Sequence, residues 1–143
     1  MDTCALLGRF DETPVAESAA KLLPHLRARG LATLVQEGAA AHRFADLATP
    51  VTDEELRRRA QLCIVIGGDG SLLYAARLIA GSGMPVLGIN RGHLGFLTDV
   101  MPQDMLASVD AALEGRCERD ERPLLEARIS SPDGSIRSQH ALN

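Results

Sequence analysis

An acidic residue lies within a run of glycines in the stretch Gly67-Gly68-Asp69-Gly70, where an apolar run ends and a leucine-rich segment begins. A turn between a strand and a helix directs backbone N–H groups outward, and the helix start adds partial positive charge, so such a loop is suited to phosphate. Glycines let the backbone take positive φ and approach an anionic ligand closely. The aspartate, however, would repel that ligand.

A carboxylate in a phosphate cradle fits phosphoryl transfer to a hydroxyl. Asp69 can orient a substrate hydroxyl and accept its proton during attack on phosphorus, while backbone donors and a metal ion carry the phosphate charge. The stretch lacks both the glycine spacing of the dinucleotide fingerprint and the lysine of a Walker A sequence. The residues favour a kinase that acts on an alcohol. A tight turn in which the aspartate satisfies local N–H groups is an equally open alternative from this motif alone.

A second glycine-rich segment follows the next apolar stretch, residues 85–89. It begins with Asn90 and includes Gly92 and Gly95. The carboxyl ends of neighbouring parallel strands meet at one edge of a sheet, where ligands bind in open α/β folds. We therefore expect both loops to line one crevice. The Asn90 amide can hydrogen-bond a polar ligand group there, or serve as a turn residue.

Three further residues of the second segment have other expected roles. Phe96 and Leu97 are expected to pack in the core, because isolated apolar residues usually do. His93 has no visible carboxylate partner, so we interpret it as an exposed polar residue and not as a general base.

The elements around the two loops indicate an α/β fold with a Rossmann-like, mostly parallel sheet and flanking helices. Residues 62–66 are apolar at every position, as expected of a strand covered on both faces at the sheet centre. A helical pattern at 71–80 and a strand at 85–89 complete a βαβ unit. The same reasoning predicts strands at 3–8 and 31–35, helices at 14–29 and 53–60, a helix starting at Pro102, and a loop over 36–51.

The character of the chain changes after the charged run at residues 118–122. Beyond it, two short strand patterns flank a Pro-Asp-Gly turn, which is typical of a β-hairpin. We therefore predict a domain boundary near residues 119–123.

Composition excludes several classes of function. The 143-residue chain is 45% hydrophobic and 3% aromatic, contains no Trp, and carries a net charge of -4. It has neither the basic footprint nor the aromatic platforms of a nucleic-acid binder, and no apolar run long enough to cross a bilayer. Cys4, Cys63 and Cys117 are too separated to indicate a disulfide framework or a zinc site. We expect a soluble, cytoplasmic protein that binds neither nucleic acid nor a membrane.

The stretch IGGDGSLLYAARLIAGSGMPVLGINRGHLGFLTDV, followed by LEGR, RPLLEA and a final ALN, resembles the bacterial NAD kinases. The motifs occur in the order and at about the spacing of that family, and the resemblance covers nearly the whole chain. It implies phosphorylation of the adenosine-ribose 2′-hydroxyl of NAD to give NADP. It also implies ATP or polyphosphate as phosphoryl donor, a divalent cation, usually Mg²⁺, and a homo-oligomer.

The resemblance also implies roles for individual residues. Asp69 matches the family's catalytic base for the ribose hydroxyl, and Asn143 matches the first member of an Asn-Glu or Asn-Asp pair that binds NAD. Relatives continue beyond that point with an all-β domain. We therefore predict an α/β nucleotide-binding domain over residues 1–120 and the start of an all-β NAD-binding domain over 121–143, in a truncated chain with little activity alone. The predicted cofactor-binding residues are Gly67, Gly68, Asp69, Gly70, Asn90 and Asn143.

Two alternatives stay open. Diacylglycerol and sphingosine kinases, and phosphofructokinases, also contain GGDG, although the PxGTxND-like segment expected of a lipid kinase is not found here. The other alternative, from a different class, is a non-catalytic fragment that binds a nucleotide.

Overall fold

A parallel β-sheet forms the centre of the computed structural model, which describes residues 1–38, 41–91, 95–98 and 100–142. The sheet has five strands in the order β3-β2-β1-β4-β5, which are β1 (Thr3–Gly8), β2 (Ala32–Gln36), β3 (Thr49–Val51), β4 (Leu62–Gly67) and β5 (Val86–Asn90). The helices are α1 (Thr13–Ala28), α2 (Asp53–Arg59), α3 (Asp69–Leu78) and α4 (Met105–Leu113), with short 3-10 helices at Ala41–Phe44 and Pro102–Asp104. The predicted α/β class and parallel sheet are confirmed.

Strand β4 shows how both faces of the sheet are covered. All six of its residues are buried. Leu62, Ile64 and Ile66 pack on one face with α1 and α4. Cys63 and Val65 pack on the other face with α2 and α3. An uninterrupted apolar run is what such two-sided burial requires, so the prediction for residues 62–66 is confirmed, although the middle position of the sheet belongs to β1.

Polar contacts join the two helices on the first face. His25 of α1 lies 2.8 Å from the Asp110 carboxylate of α4, and Arg29 lies 2.9 Å from Glu114 just beyond that helix. These contacts lie around the apolar packing of α1 on α4 and fix the two helices side by side. No helix within the described part of the chain is long and apolar enough to span a membrane.

The segment predicted as a loop over residues 36–51 contains a strand that sequence reasoning missed. Strand β3 has only three residues, includes Pro50, and buries only Val51. Such a short edge strand carries no apolar alternation, so its position is decided by pairing with β2 and not by its own sequence. Helix α2 follows directly and starts with a capping box formed by Thr52 and Glu55.

The C-terminal residues form an antiparallel hairpin, as predicted. Strands β6 (Leu124–Ser130) and β7 (Ile136–Leu142) make a separate two-stranded sheet. In the turn, Gly134 has φ 83°, a conformation that favours glycine. Strand β7 lies beside α3, while most of the hairpin is exposed. The domain boundary at residue 120 stays a prediction.

Candidate active site

The two glycine-rich loops start side by side at the carboxyl edge of the sheet. Strand β4 ends at Gly67, which pairs with Asn90 at the end of β5. The Arg91 N–H donates to the Gly67 carbonyl at 2.9 Å. Asp69 follows as the first residue of α3, with Gly68 as the N-cap. This register confirms that both segments reach one edge of the sheet.

Donors from the second loop hold the Asp69 carboxylate. The Phe96 N–H donates to Oδ2 at 2.9 Å, and the Leu97 N–H donates to Oδ1 at 3.0 Å. The Thr98 hydroxyl makes a longer bond of 3.5 Å to Oδ1. The N–H groups of Phe96 and then Leu97 are the main cause of a lowered pKa for the Asp69 carboxyl, because they stabilise its charged form. Asp69 is therefore an ionised, oriented carboxylate.

The glycines of the first loop provide space and not a left-handed backbone. None of Gly67, Gly68 and Gly70 has a positive φ, so that part of the sequence expectation is wrong. A Cβ on Gly67 would stand 2.7 Å from the Cβ of Ser71, which packs against it. A Cβ on Gly68 or Gly70 would meet no atom of the described residues within 4 Å. As far as the described residues extend, the backbone at these two positions is open to a ligand.

Asn90 anchors the second loop to the end of β5. The residue is 2% exposed. Its N–H donates to the Val100 carbonyl at 2.8 Å, and its side-chain Nδ2 donates to the Thr98 carbonyl at 3.5 Å. These contacts match the turn role left open by the sequence, and the contact of Asn90 with a ligand stays a prediction.

The prediction for Phe96 is wrong. The residue is 96% exposed and not in the core, because its backbone N–H is bonded to the Asp69 carboxylate at the edge of the sheet. Leu97 is half-buried. Sequence reasoning also missed Thr98, since its contact with Asp69 joins residues separated by 29 positions. Outside the described residues lie Gly92, His93 and Asn143.

The described residues do not form a protein cage for Mg²⁺. No group of three or more His, Cys, Asp or Glu side chains among them is placed to hold a metal ion. Both Asp69 oxygens already accept hydrogen bonds from the second loop. Mg²⁺ is often held by one or two carboxylates together with substrate phosphates. The described residues at this edge are compatible with an ion that is held partly by substrate phosphates.

Comparison with known sequences identifies relatives over nearly the whole chain. The NAD kinases of Azoarcus sp. (strain BH72) and Methylococcus capsulatus are each 39% identical over 141 residues, covering 97% and 99% of this chain and 48% of each relative. The NAD kinase of Burkholderia multivorans is 42% identical over 129 residues, covering 90% of this chain and 43% of the relative. The chain thus spans about half the length of the curated relatives it matches.

Solved structures share the fold. A crystal structure of yeast NADH kinase complexed with NADH has a TM-score of 0.87 at 18% identity, covering 99% of this chain and 46% of that one. An NAD kinase from Archaeoglobus fulgidus in complex with ATP has a TM-score of 0.63 at 19% identity, covering 98% and 45%. Residues 7–117 match the family model described as the ATP-NAD kinase N-terminal domain. On that match, with a carboxylate held between two glycine-rich loops, the chain belongs to the ATP-NAD kinase N-terminal domain family.

Proposed function

We propose that the chain is the nucleotide-binding half of an NAD kinase, which phosphorylates the adenosine-ribose 2′-hydroxyl of NAD to give NADP. ATP or polyphosphate is the proposed phosphoryl donor. The observation that carries the proposal is the Asp69 carboxylate, which lies at the start of α3 and is oriented by the neighbouring loop. The names of the curated relatives support it, as do the NADH and ATP bound to the two similar structures.

The hydrogen bonds to Asp69 determine which catalytic role suits this carboxylate. A lowered pKa makes it a weak base that is ionised at neutral pH. Its first contribution is to accept a hydrogen bond from the attacking ribose hydroxyl and align the oxygen with phosphorus. In a loose transition state the hydroxyl proton becomes acidic late, as the O–P bond forms and the bond to the leaving phosphate breaks. The proton then passes to Asp69.

The start of α3 supplies the complementary site for phosphate. This helix has ten residues, and its first turn leaves N–H groups without helical acceptors beside a partial positive charge. No described atom would contact a Cβ at Gly68 or Gly70, and this space lets phosphate oxygens approach those groups. When bound, Mg²⁺ would neutralise charge on the donor phosphates.

Several further assignments belong to the same proposal. The protein is cytoplasmic, and the full-length protein is a homo-oligomer. Residues 1–120 are the nucleotide-binding domain, and residues 121–143 begin an all-β NAD-binding domain. The residues proposed to contact NAD or the phosphoryl donor are Gly67, Gly68, Asp69, Gly70, Asn90 and Asn143.

The chain spans about half the length of its relatives, so the proposal is tested in a chimera that supplies the other half from a relative. In it, the chain replaces the matching half of the Azoarcus sp. NAD kinase, and NADP formation from NAD is measured with ATP and with polyphosphate. Asp69→Asn should reduce kcat by about 10²–10⁴-fold, the usual range for a general acid or base. KM for NAD should change little, since the role is exerted in the transition state.

The control is Asp104→Asn, which alters an exposed aspartate outside both loops and should keep parental turnover. Parental turnover in Asp69→Asn would refute the role of Asp69. A folded chimera that binds NAD without forming NADP would instead favour a non-catalytic nucleotide-binding module. The isolated 143-residue chain is assayed in parallel, and turnover equal to that of the chimera would overturn the expectation that it is inactive alone.

A further inference from the structure

Gly95 and Thr98, on either side of the two backbone donors, also lie directly against the Asp69 carboxylate. Gly95 immediately precedes the two backbone donors, and Thr98 supplies the hydroxyl donor. We propose that Gly95 and Thr98 are positioning residues that hold the Asp69 carboxylate in a single orientation for reaction. This proposal rests on the proposed function of Asp69.

The space at Gly95 is occupied by the carboxylate itself. A Cβ on Gly95 would stand 2.6 Å from Cγ of Asp69 and 2.8 Å from its Oδ2. Non-bonded carbon atoms pack at about 3.5–4.0 Å, so these distances are not tolerated. An alanine would push the carboxylate away or shift the loop. Because the Phe96 and Leu97 N–H groups follow Gly95 directly, either movement would break their bonds to Asp69.

Thr98 packs between β5 and the Asp69 carboxylate. Its side chain is fully buried, and its carbonyl accepts the hydrogen bond from Asn90. Its methyl group lies 3.0 Å from the position that a Cβ would take on Gly88 of β5. With the methyl and the backbone fixed, the hydroxyl has few directions open to it, and it donates to Oδ1 of Asp69. The threonine thus links the orientation of the carboxylate to the core of the sheet.

Holding the Asp69 carboxylate in one orientation should increase kcat. The Asp69 carboxylate can otherwise rotate about two side-chain bonds at the start of α3. Catalytic groups need to be held to within about 10–20° of the productive geometry. A misplacement of about 1 Å can reduce the rate by about 100-fold.

The pKa of Asp69 reports this contact without any need for kinase activity. It is measured by carbon-detected NMR titration of the carboxyl group in the 143-residue chain. Gly95→Ala and Thr98→Val should raise the pKa of Asp69, because each removes donors that stabilise the charged form. Thr98→Ser keeps the hydroxyl and should leave the pKa close to that of the parent.

Gly115→Ala is the control for general destabilisation. Gly115 has φ 70°, and a Cβ there would meet no described atom within 4 Å, so alanine strains the backbone without reaching the carboxylate, and the pKa of Asp69 should not change. A parental pKa in both folded Gly95→Ala and folded Thr98→Val would overturn the proposal. If Gly95→Ala does not fold, the comparison of Thr98→Val with Thr98→Ser decides.

Turnover in the chimera separates this proposal from the proposed function. Gly95→Ala should lower kcat by about 100-fold with little change in KM for NAD. A raised pKa with parental turnover would show that the contact exists but that the reaction does not depend on it, which would overturn the positioning role without bearing on Asp69 itself. An unchanged pKa would overturn the positioning role, whereas the result for Asp69→Asn would stand independently.

Discussion

Ile89 tests how far the second loop depends on the core beneath it. The residue is fully buried in β5 and belongs to the cluster that packs α1 and α4 on the sheet. It directly precedes Asn90 and forms a parallel bridge with Val100. Ile89 therefore fills the core and also fixes the two ends of the loop that holds Asp69. We expect Ile89→Ala to destabilise the α/β core.

The magnitude follows from the carbon atoms removed. Three carbons at about 0.8 kcal/mol per buried CH₂ correspond to about 2.4 kcal/mol of lost transfer free energy. A cavity that collapses only partly raises the loss to about 3–4 kcal/mol, whereas Ile89→Val should cost about 1 kcal/mol. Domains of this size unfold with about 5–15 kcal/mol. The alanine variant should therefore stay folded with a much reduced free energy of unfolding.

Urea unfolding followed by circular dichroism at 222 nm provides the measurement. The described helices α1 to α4 all lie before the hairpin, so the helical signal reports the α/β core. Val86→Ala is the matched control, because Val86 lies in the same strand but is 37% exposed, and it should cost less than about 1 kcal/mol. If Ile89→Ala were no more destabilising than Val86→Ala, the burial of Ile89 described above would be wrong.

Two further predictions concern the linker and the carboxylate. Limited proteolysis should cut residues 118–123, which are exposed throughout, before it cuts the core; equal protection of the hairpin and the core would contradict a boundary at residue 120. Because the folded-state pKa of Asp69 lies below its ordinary value of 3.8, its stabilising contribution is present above that pH and is lost as pH falls through the folded-state pKa. Acid titration of unfolding free energy should therefore show a steeper loss for the parent than for Asp69→Asn, and identical slopes would argue against these hydrogen bonds.

The sequence predicts this fold best where one physical requirement dominates. In β4, burial on both faces demands an apolar residue at every position, and that pattern is visible without a structure. The turn of the hairpin is equally visible, because a Pro-Asp-Gly turn needs the positive φ of Gly134. The shared edge for the two loops follows from the parallel order of β4 and β5.

The features that the sequence does not predict depend on contacts between distant residues. Helix α3 begins at Asp69, two residues before the predicted start, because its N-cap Gly68 has no side chain to mark the position. The residue type of Phe96 predicts a core position, whereas its N–H is bonded to Asp69 and the residue is exposed. The need for glycine at position 95 depends on the orientation of the Asp69 carboxylate. No local sequence pattern predicts that orientation.

The two edges of the main sheet differ from the hairpin in how readily their backbone groups can pair with a strand of another molecule. Strand β3 is three residues long, and Pro50 has no N–H to donate. At the opposite edge, the Asn90 N–H of β5 already donates a hydrogen bond to the Val100 carbonyl. Short, proline-containing or covered edges resist intermolecular pairing. Within the described residues, seven-residue β6 pairs only with β7, so we expect the hairpin to offer a longer strand for intermolecular pairing than β3 does.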